Sequence, residues 1–407
     1  MGECRVCNAP LELFLSFGRM PLADRFVEPD RVADEYLYDL AVGACPACWM
    51  VQLVDVPPPE VVFPPDYPYR SSASQRMRDH FAAIASRLRR LARHSRDPFV
   101  VEIGCNDGAM LRTLARAGVR HLGVDPAAGA ASTAHEYGVD VLEAFFDEEV
   151  AARVRDERGP ADVVYAANTL CHIADLHGAL RAIDGLLDDE GILVFEDPYL
   201  ADIVTATAFD QFYDEHVYYF SLAAVGRMLE PCALEVFDVE HLDVHGGELR
   251  CYVGRKGRRP VSEAVRRTLA AEQVSRLVDL DGLYDFSRRV DAVRRQLREL
   301  LEELHAAGRR VVGYGATAKS ATVTNACGIG PELVEFVCDS TPEKQGKLTP
   351  GAHIPVRPPE AFADPYPDYA LLFAWNHAAE IRRKEHDFEA GGGRWVLYIP
   401  EVAISPP

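Results

Sequence analysis

Three groups of residues in this chain have the types and spacing to do chemistry. The first is a pair of C-x-x-C motifs, Cys4-x-x-Cys7 and Cys45-x-x-Cys48. Four thiolates at about 2.3 Å complete a tetrahedral Zn²⁺ shell and leave no position for a substrate, so such a centre is structural. The second is a pair of glycine-rich turns, Val100-Val-Glu-Ile-Gly-Cys-Asn-Asp-Gly108 and Val311-Val-Gly-Tyr-Gly-Ala-Thr-Ala-Lys-Ser320. In each, an apolar run ends in small residues and a helix-compatible stretch follows, the pattern by which a parallel sheet offers backbone N–H groups to a ligand. The third is the aromatic segment Phe209-Asp-Gln-Phe-Tyr-Asp-Glu-His-Val-Tyr-Tyr-Phe220. It sets Glu215 and His216 among rings, and histidine is the side chain that exchanges a proton most readily near neutral pH.

The two turns differ in chemical character. Glu102, Gly104, Asn106, Asp107 and Gly108 build the first, and Asp125 ends the next strand, where a carboxylate suits a ribose diol. That spacing alone does not separate a dinucleotide from S-adenosylmethionine. The turn lacks the G-x-G-x-x-G series, and the negative charges of Glu102 and Asp107 fit a cationic amino-acid sulfonium better than a diphosphate. Asn168, at the end of the fourth strand, is expected at the same edge. The second turn is not a Walker A loop, because no glycine stands directly before Lys319-Ser320. It still combines Tyr314, Gly315, a lysine and hydroxyls into a cradle for a diphosphate. Asp339 ends the strand after it, and Asn376 and His377 end a later one. One methyl donor suffices, so the second turn reads as the seat of a nucleotide-bearing substrate. Tyr213 could donate to an oxygen that develops negative charge, and His172 stands at the mouth of the first sheet.

The elements that must position these groups are an alternation of strands and helices. Residues 1–68 lack long helical periodicity and end in a proline-rich connector (Pro57–Pro59, Pro64, Pro65, Pro68). Met77, Phe81, Ile84, Leu88 and Leu91 recur at helical steps. Strands are then expected at 99–103, 121–124, 139–142, 162–166 and 191–195, followed by 233–239 and 248–253. A charge-rich helical stretch at 261–307 precedes a last α/β unit with strands at 310–313, 333–337, 369–373 and 395–399. The expected fold is α/β, with a zinc-binding domain at 1–68, a Rossmann-like S-adenosylmethionine methyltransferase domain at 69–255 and a Rossmann-like nucleotide-sugar-binding domain at 256–407.

Bulk properties set the outer limits. The chain has 407 residues, 48% of them hydrophobic and 26% charged, enough for two or three cores. With 43 basic against 63 acidic residues (net −20), no nucleic acid and no anionic membrane surface is expected as a partner. No apolar run approaches the roughly 20 residues of a membrane span, and the N-terminus carries no apolar signal core. A cytoplasmic location is the expectation, and there the ten cysteines stay reduced. Cys105, Cys171, Cys232, Cys251, Cys327 and Cys338 read as small core residues.

Taken together, the motifs resemble those of the sugar C-3-methyltransferases of antibiotic deoxysugar pathways. The similarity runs through both Cys pairs, Phe17-Gly-Arg-Met-Pro-Leu-Ala-Asp-Arg-Phe26, Tyr67-Pro-Tyr69, the Glu102–Gly108 turn, Tyr213-Asp-Glu-His216, His245-Gly-Gly247 and Gly313–Ser320. It is nearest to the nitrosugar-route enzymes of the tetrocarcin and kijanimicin type. Asp125 stands where close relatives can carry Glu, and either carboxylate can bind a ribose. The resemblance implies methylation at C3 of a dTDP-linked 4-keto-6-deoxysugar by S-adenosylmethionine, with a 3-amino substituent favoured. It further implies His216 as the base, Tyr67, His172, Tyr213 and Glu215 as its companions, and Lys319 and Ser320 near the phosphates of the dTDP group. Two other readings stay open on the residues alone: an NAD-dependent nucleotide-sugar oxidoreductase or epimerase, and a zinc-ribbon adaptor without catalysis. The oligomeric state is not legible, and a monomer is compatible with everything above.

Overall fold

A computed structural model describes residues 2–63, 70–92 and 96–405. Three sheets organise them. The first is antiparallel, with strands Glu12–Pro21, Leu37–Ala44, Val51–Leu53 and Tyr218–Tyr219 in that order. Its hydrophobic alternation is visible in the second strand, where Tyr38, Leu40 and Val42 are buried while Leu37 and Asp39 are exposed. The fourth strand comes from far along the chain and belongs to the aromatic segment.

The central sheet has seven strands. Val141–Leu142, Arg120–Val124, Phe99–Ile103, Ala161–Ala167 and Leu187–Pro198 lie side by side in parallel. Glu248–Arg255 and Leu234–Leu242 extend that array antiparallel. The chain runs outward from Phe99–Ile103 in one direction and then returns to build the other side. That reversal opens a crevice beyond the carboxyl ends of Phe99–Ile103 and Ala161–Ala167. The third sheet repeats the device: Val311–Tyr314 is flanked by Val337–Cys338 and Tyr369–Leu372, with Val356–Arg357 and Arg394–Leu397 outside and an antiparallel Ala403–Ile404 at the edge. The strand expected at 333–337 therefore begins only at Val337, because residues 331–334 form turns.

Helix Leu280–Ala306 joins two of these units. Its buried residues Leu283, Phe286, Val290, Val293, Leu297, Leu301 and Leu304 recur at three- and four-residue steps. They share one core with Phe14, Leu15 and Phe17 of the first sheet, with Phe209 and Phe212, and with Val311 and Val323 of the third unit. Helix Glu263–Val274 packs the other way, with Val265 in the core of the central unit. Its Glu272 carboxylate accepts from the Tyr199 hydroxyl and from the backbone N–H groups of Leu222 and Ala223. Those two amides open helix Leu222–Leu229, so a buried carboxyl group caps a neighbouring helix at its positive end. Glu272→Ala leaves three donors, two of them buried, without this acceptor and is expected to cost about 2–4 kcal/mol. A thermal midpoint within a degree of wild type would contradict that role.

Candidate active site and metal centre

The two Cys pairs fold as matching knuckles. Cys4 N–H donates to the Ala9 carbonyl and Asn8 N–H to the Cys4 carbonyl, both at 2.8 Å. Cys45 N–H donates to Met50 (2.9 Å) and Trp49 N–H to Cys45 (2.8 Å) in the same pattern, and both Asn8 and Trp49 take positive φ. The four sulfurs all lie within 4.8 Å of one another, with Cys4–Cys48 at 3.6 Å and Cys7–Cys45 at 3.3 Å. A tetrahedron with bonds of about 2.3 Å sets its sulfurs about 3.8 Å apart, so zinc fits. Backbone N–H groups of Val6 and Cys48 and the Gln52 amide (3.2 Å to Cys4 Sγ) point at the sulfurs, the outer donors that stabilise thiolates. Gln52 lies on Val51–Leu53, the strand that pairs with Tyr218–Tyr219.

The first glycine turn sits at the central crevice. Gly104 takes φ +69°, and a Cβ there would lie 2.3 Å from Thr169 Oγ1. Asp125 receives the Asn106 N–H at 2.8 Å and the Ala127 N–H at 2.9 Å, one on each oxygen, and keeps further lone pairs for a diol. Ser72 bonds Asp107 Oδ2 through its N–H and its hydroxyl, while Ser71 N–H donates to Asn106 Oδ1. Asn168 donates to Glu248 Oε1 at 2.9 Å. Glu102 Oε2 and Asp107 Oδ1 are buried with no partner among the described residues. Burial first, then the neighbouring Asp125 and Asp107, pushes the Glu102 carboxyl well above the usual range. Crowded carboxylates with spare acceptors fit a ligand that brings positive charge, as the ammonium and sulfonium of S-adenosylmethionine do.

His216 lies where the aromatic segment turns into its strand. Its Nδ1 is 3.2 Å from the Gln211 carbonyl, which can only accept, so Nδ1 carries the proton and Nε2 the lone pair. The Tyr213 hydroxyl sits 3.0 Å from Nε2. His172 packs against the His216 ring (centroids 5.2 Å apart) and stacks on Phe63. Its Nε2 has no partner among the described residues. Burial holds the His216 imidazole well below its ordinary value, helped by His172 and Lys319, and burial lowers His172 to about 4. Both rings are therefore neutral at pH 7. Cys171, His172 and His216 also offer ligand atoms within 4.8 Å of one another, but both nitrogens of His216 are already engaged. Glu215 is buried beside it in a turn rather than in an extended strand.

The second turn copies the first in its backbone. Gly315 takes φ +89° against Ala374, and Asp339 receives the N–H groups of Ala316 (2.7 Å) and Thr341 (2.8 Å). The side chains diverge from the expected cradle. Ser320 is buried, and its hydroxyl donates to the Thr317 carbonyl at 2.6 Å. Tyr314 points into an aromatic cluster with Phe362 and Trp395 and bonds Glu385. Lys319 reaches the His245 carbonyl at 3.3 Å over the Trp375 ring. Asn376 and His377 lie half-buried in the short turn Trp375–His377. Tyr67 lies outside the described residues. Individual residues that sequence reasoning passed over are Gln211, Asp210 and Glu248; only Glu248 had a signal, directly after His245-Gly-Gly.

Three family descriptions tile the chain: "Putative zinc binding domain" over residues 4–63, "Methyltransferase domain" over 75–238 and "C-methyltransferase C-terminal domain" over 243–400. Over 407 residues the chain is 36% identical to the C-methyltransferase NovU of Streptomyces niveus, covering 99% of this chain and 97% of that one. The chain belongs to this C-methyltransferase family. It is an S-adenosylmethionine-dependent C-methyltransferase with an N-terminal zinc-binding domain. A ubiquinone biosynthesis O-methyltransferase of Azorhizobium caulinodans is 34% identical over 99 residues, 23% of this chain and 38% of its own. Among solved structures, the CcbJ methyltransferase of Streptomyces caelestis covers 49% of this chain and is itself 93% covered, at 17% identity and a TM-score of 0.36, too low to carry an argument. No helix among the described residues is long and apolar enough to cross a membrane.

In this C-methyltransferase, Gly104→Ala should weaken S-adenosylmethionine binding at least ten-fold by calorimetry, because the new Cβ must displace Thr169. Undiminished affinity would remove the turn from the cofactor site. Elemental analysis should find one zinc per chain, lost in Cys45→Ser together with a lower thermal midpoint. Full metal content in that variant would refute the four-thiolate centre.

Proposed function

We propose that this C-methyltransferase methylates C3 of a dTDP-linked 4-keto deoxysugar, with dTDP-3-amino-2,3,6-trideoxy-4-keto-glucose as the favoured acceptor. The observation that carries the reading is His216, a neutral imidazole with its lone pair on Nε2, between the two turn-bearing units. A C3 proton beside a C4 ketone is acidic enough for such a base to remove. Bound at the first turn, S-adenosylmethionine supplies an electrophilic methyl for the carbanion so formed. Glu102, Gly104, Asn106, Asp107, Gly108 and Asn168 would hold the donor and Asp125 its ribose. Gly315, Asp339 and the Asn376–His377 turn would face the dTDP handle.

The positions of Tyr213 and His172 support the roles proposed for them. Tyr213 holds its proton, because burial raises the phenol far above its ordinary value, so it acts as a donor and not as a second base. Its hydroxyl covers Nε2 until a sugar takes that place. His172 is neutral and stacked, a wall with one open nitrogen. Glu215 and Tyr67 complete the proposed set. Holding acceptor and donor between two rigid units makes the transfer effectively unimolecular.

His216→Asn is expected to lower turnover of that sugar at least 10³-fold while S-adenosylmethionine affinity stays within about three-fold of wild type. Turnover within a few-fold of wild type would exclude His216 as the base. Comparison of 3-amino with 3-hydroxy acceptors then decides the C3 substituent.

A further inference from the structure

Lys319 occupies an electrostatically unusual position. It stands in the first turn of helix Ala318–Cys327, where the helix already presents its positive end and a cation is disfavoured unless an anion faces it. Among the described residues it forms no ion pair. Its ammonium donates to the His245 carbonyl at 3.3 Å, and the Trp375 ring lies under it at 4.8 Å. Trp375 is in turn fixed by Nε1 donating to Asp210 Oδ2 at 2.6 Å, an oxygen that also accepts from the Tyr398 hydroxyl. Burial lowers the Lys319 ammonium from its ordinary value, and the carboxylates of Asp210 and Glu248 oppose that from a distance; Asp210 Oδ1 is buried with no partner among the described residues.

The same carbonyl of His245 accepts from the Gln211 side chain at 3.0 Å, and the Gln211 carbonyl is the partner of His216 Nδ1. Lys319 and His216 are thus held on either side of one short bridge, Gln211 and His245. The phosphate-binding companion expected beside the lysine is spent, since the Ser320 hydroxyl donates to Thr317 O. We propose that Lys319 donates a hydrogen bond to the C4 oxygen of the keto sugar and stabilises the enolate that forms when His216 removes the C3 proton. This inference rests on the reading of acceptor and base given above.

In the step, the C3–H bond breaks and its proton passes to His216 Nε2. The electron pair enters the C3–C4 bond, and the C4 carbonyl pair moves onto oxygen. Lys319 keeps its proton and lends only its charge and a donor. Before the step, the same charge disfavours an imidazolium and keeps the base free. The groups facing His216 are Tyr213 and the Gln211 carbonyl from its own segment, His172 from the 170–172 turn, Tyr219 from its strand, His245 from the loop and Lys319 from the helix. Lys319 alone among these is a cation of ordinary pKa above neutrality, though burial draws it down from its usual value.

Lys319→Met and Lys319→Gln, assayed with dTDP-3-amino-2,3,6-trideoxy-4-keto-glucose, test the assignment. Both should lower kcat by about 10²–10³ with KM for the sugar within three-fold. The acid limb of the kcat profile should move to higher pH, because removing a neighbouring cation lets His216 protonate more easily. Lys319→Arg should recover part of kcat, and S-adenosylmethionine affinity should hold in all three. A ten-fold rise in KM with kcat near wild type would overturn the proposal in favour of a phosphate anchor. A kcat loss with an unmoved acid limb and no recovery by arginine would overturn it in favour of packing. Wild-type silence on 4-keto sugars would overturn both this inference and the reading beneath it, whereas a normal wild type beside an unimpaired Lys319→Met overturns this inference alone.

Discussion

The pairing of Val51–Leu53 with Val217–Tyr219 is the constraint on which the rest of the molecule depends. Leu53 N–H donates to the Val217 carbonyl at 2.9 Å, and Gln52 and Val51 face Tyr218 and Tyr219 in register. One end of this contact is the metal centre, because Cys48 closes the knuckle that leads into the strand and Gln52 donates to Cys4. The other end is His216, the proposed base, one residue before Val217. The Tyr218 hydroxyl then reaches the Ala174 carbonyl at 2.7 Å, just past His172, and fastens the same strand to the central unit. A closed zinc site without chemistry of its own thereby fixes the position of a histidine. In a segment of turns and short helices, a two-residue strand would otherwise have little to hold it.

Charge divides the active region into two compartments. Around the first turn, buried carboxylates crowd together, and Glu196 is held by His80, Tyr165 and Arg250. That environment attracts a cationic donor. Around Lys319 and His216 lie the histidines at 172, 245 and 377, and burial lowers all four imidazoles. That environment tolerates developing negative charge. In a chain of net charge −20, positive charge at His216 is supplied locally, by Lys319, and not by a broad basic field.

Much of this was legible because it is local. The C-x-x-C knuckles, the two turns with their strand-end carboxylates and the aromatic run around His216 each lie within a short stretch of chain, where residue type and spacing carry the chemistry. What escaped depends on contacts between distant residues. Tyr218–Tyr219 completes a sheet begun in the first fifty residues, and no periodicity could announce a strand of two residues. Val356–Arg357 and Ala403–Ile404 are equally short. The direction of Lys319 is set by the His245 loop and Trp375, so a pattern that resembles a phosphate cradle could not reveal that Ser320 turns inward. Gln211 acts through its backbone carbonyl and its side-chain amide, and Asp210 through Trp375 and Tyr398, interactions that leave no mark in sequence.

The central claim is that His216 takes the C3 proton of a 4-keto sugar. The most direct measurement is hydrogen exchange followed by NMR. The acceptor dTDP-3-amino-2,3,6-trideoxy-4-keto-glucose is incubated in deuterium oxide with the protein and S-adenosylhomocysteine, which fills the donor site without a methyl to give. The account predicts loss of the C3–H signal with wild type at a rate at least a hundred-fold above that with His216→Asn. Equal exchange in the two proteins, or a C3–H signal that survives in wild type, would contradict it.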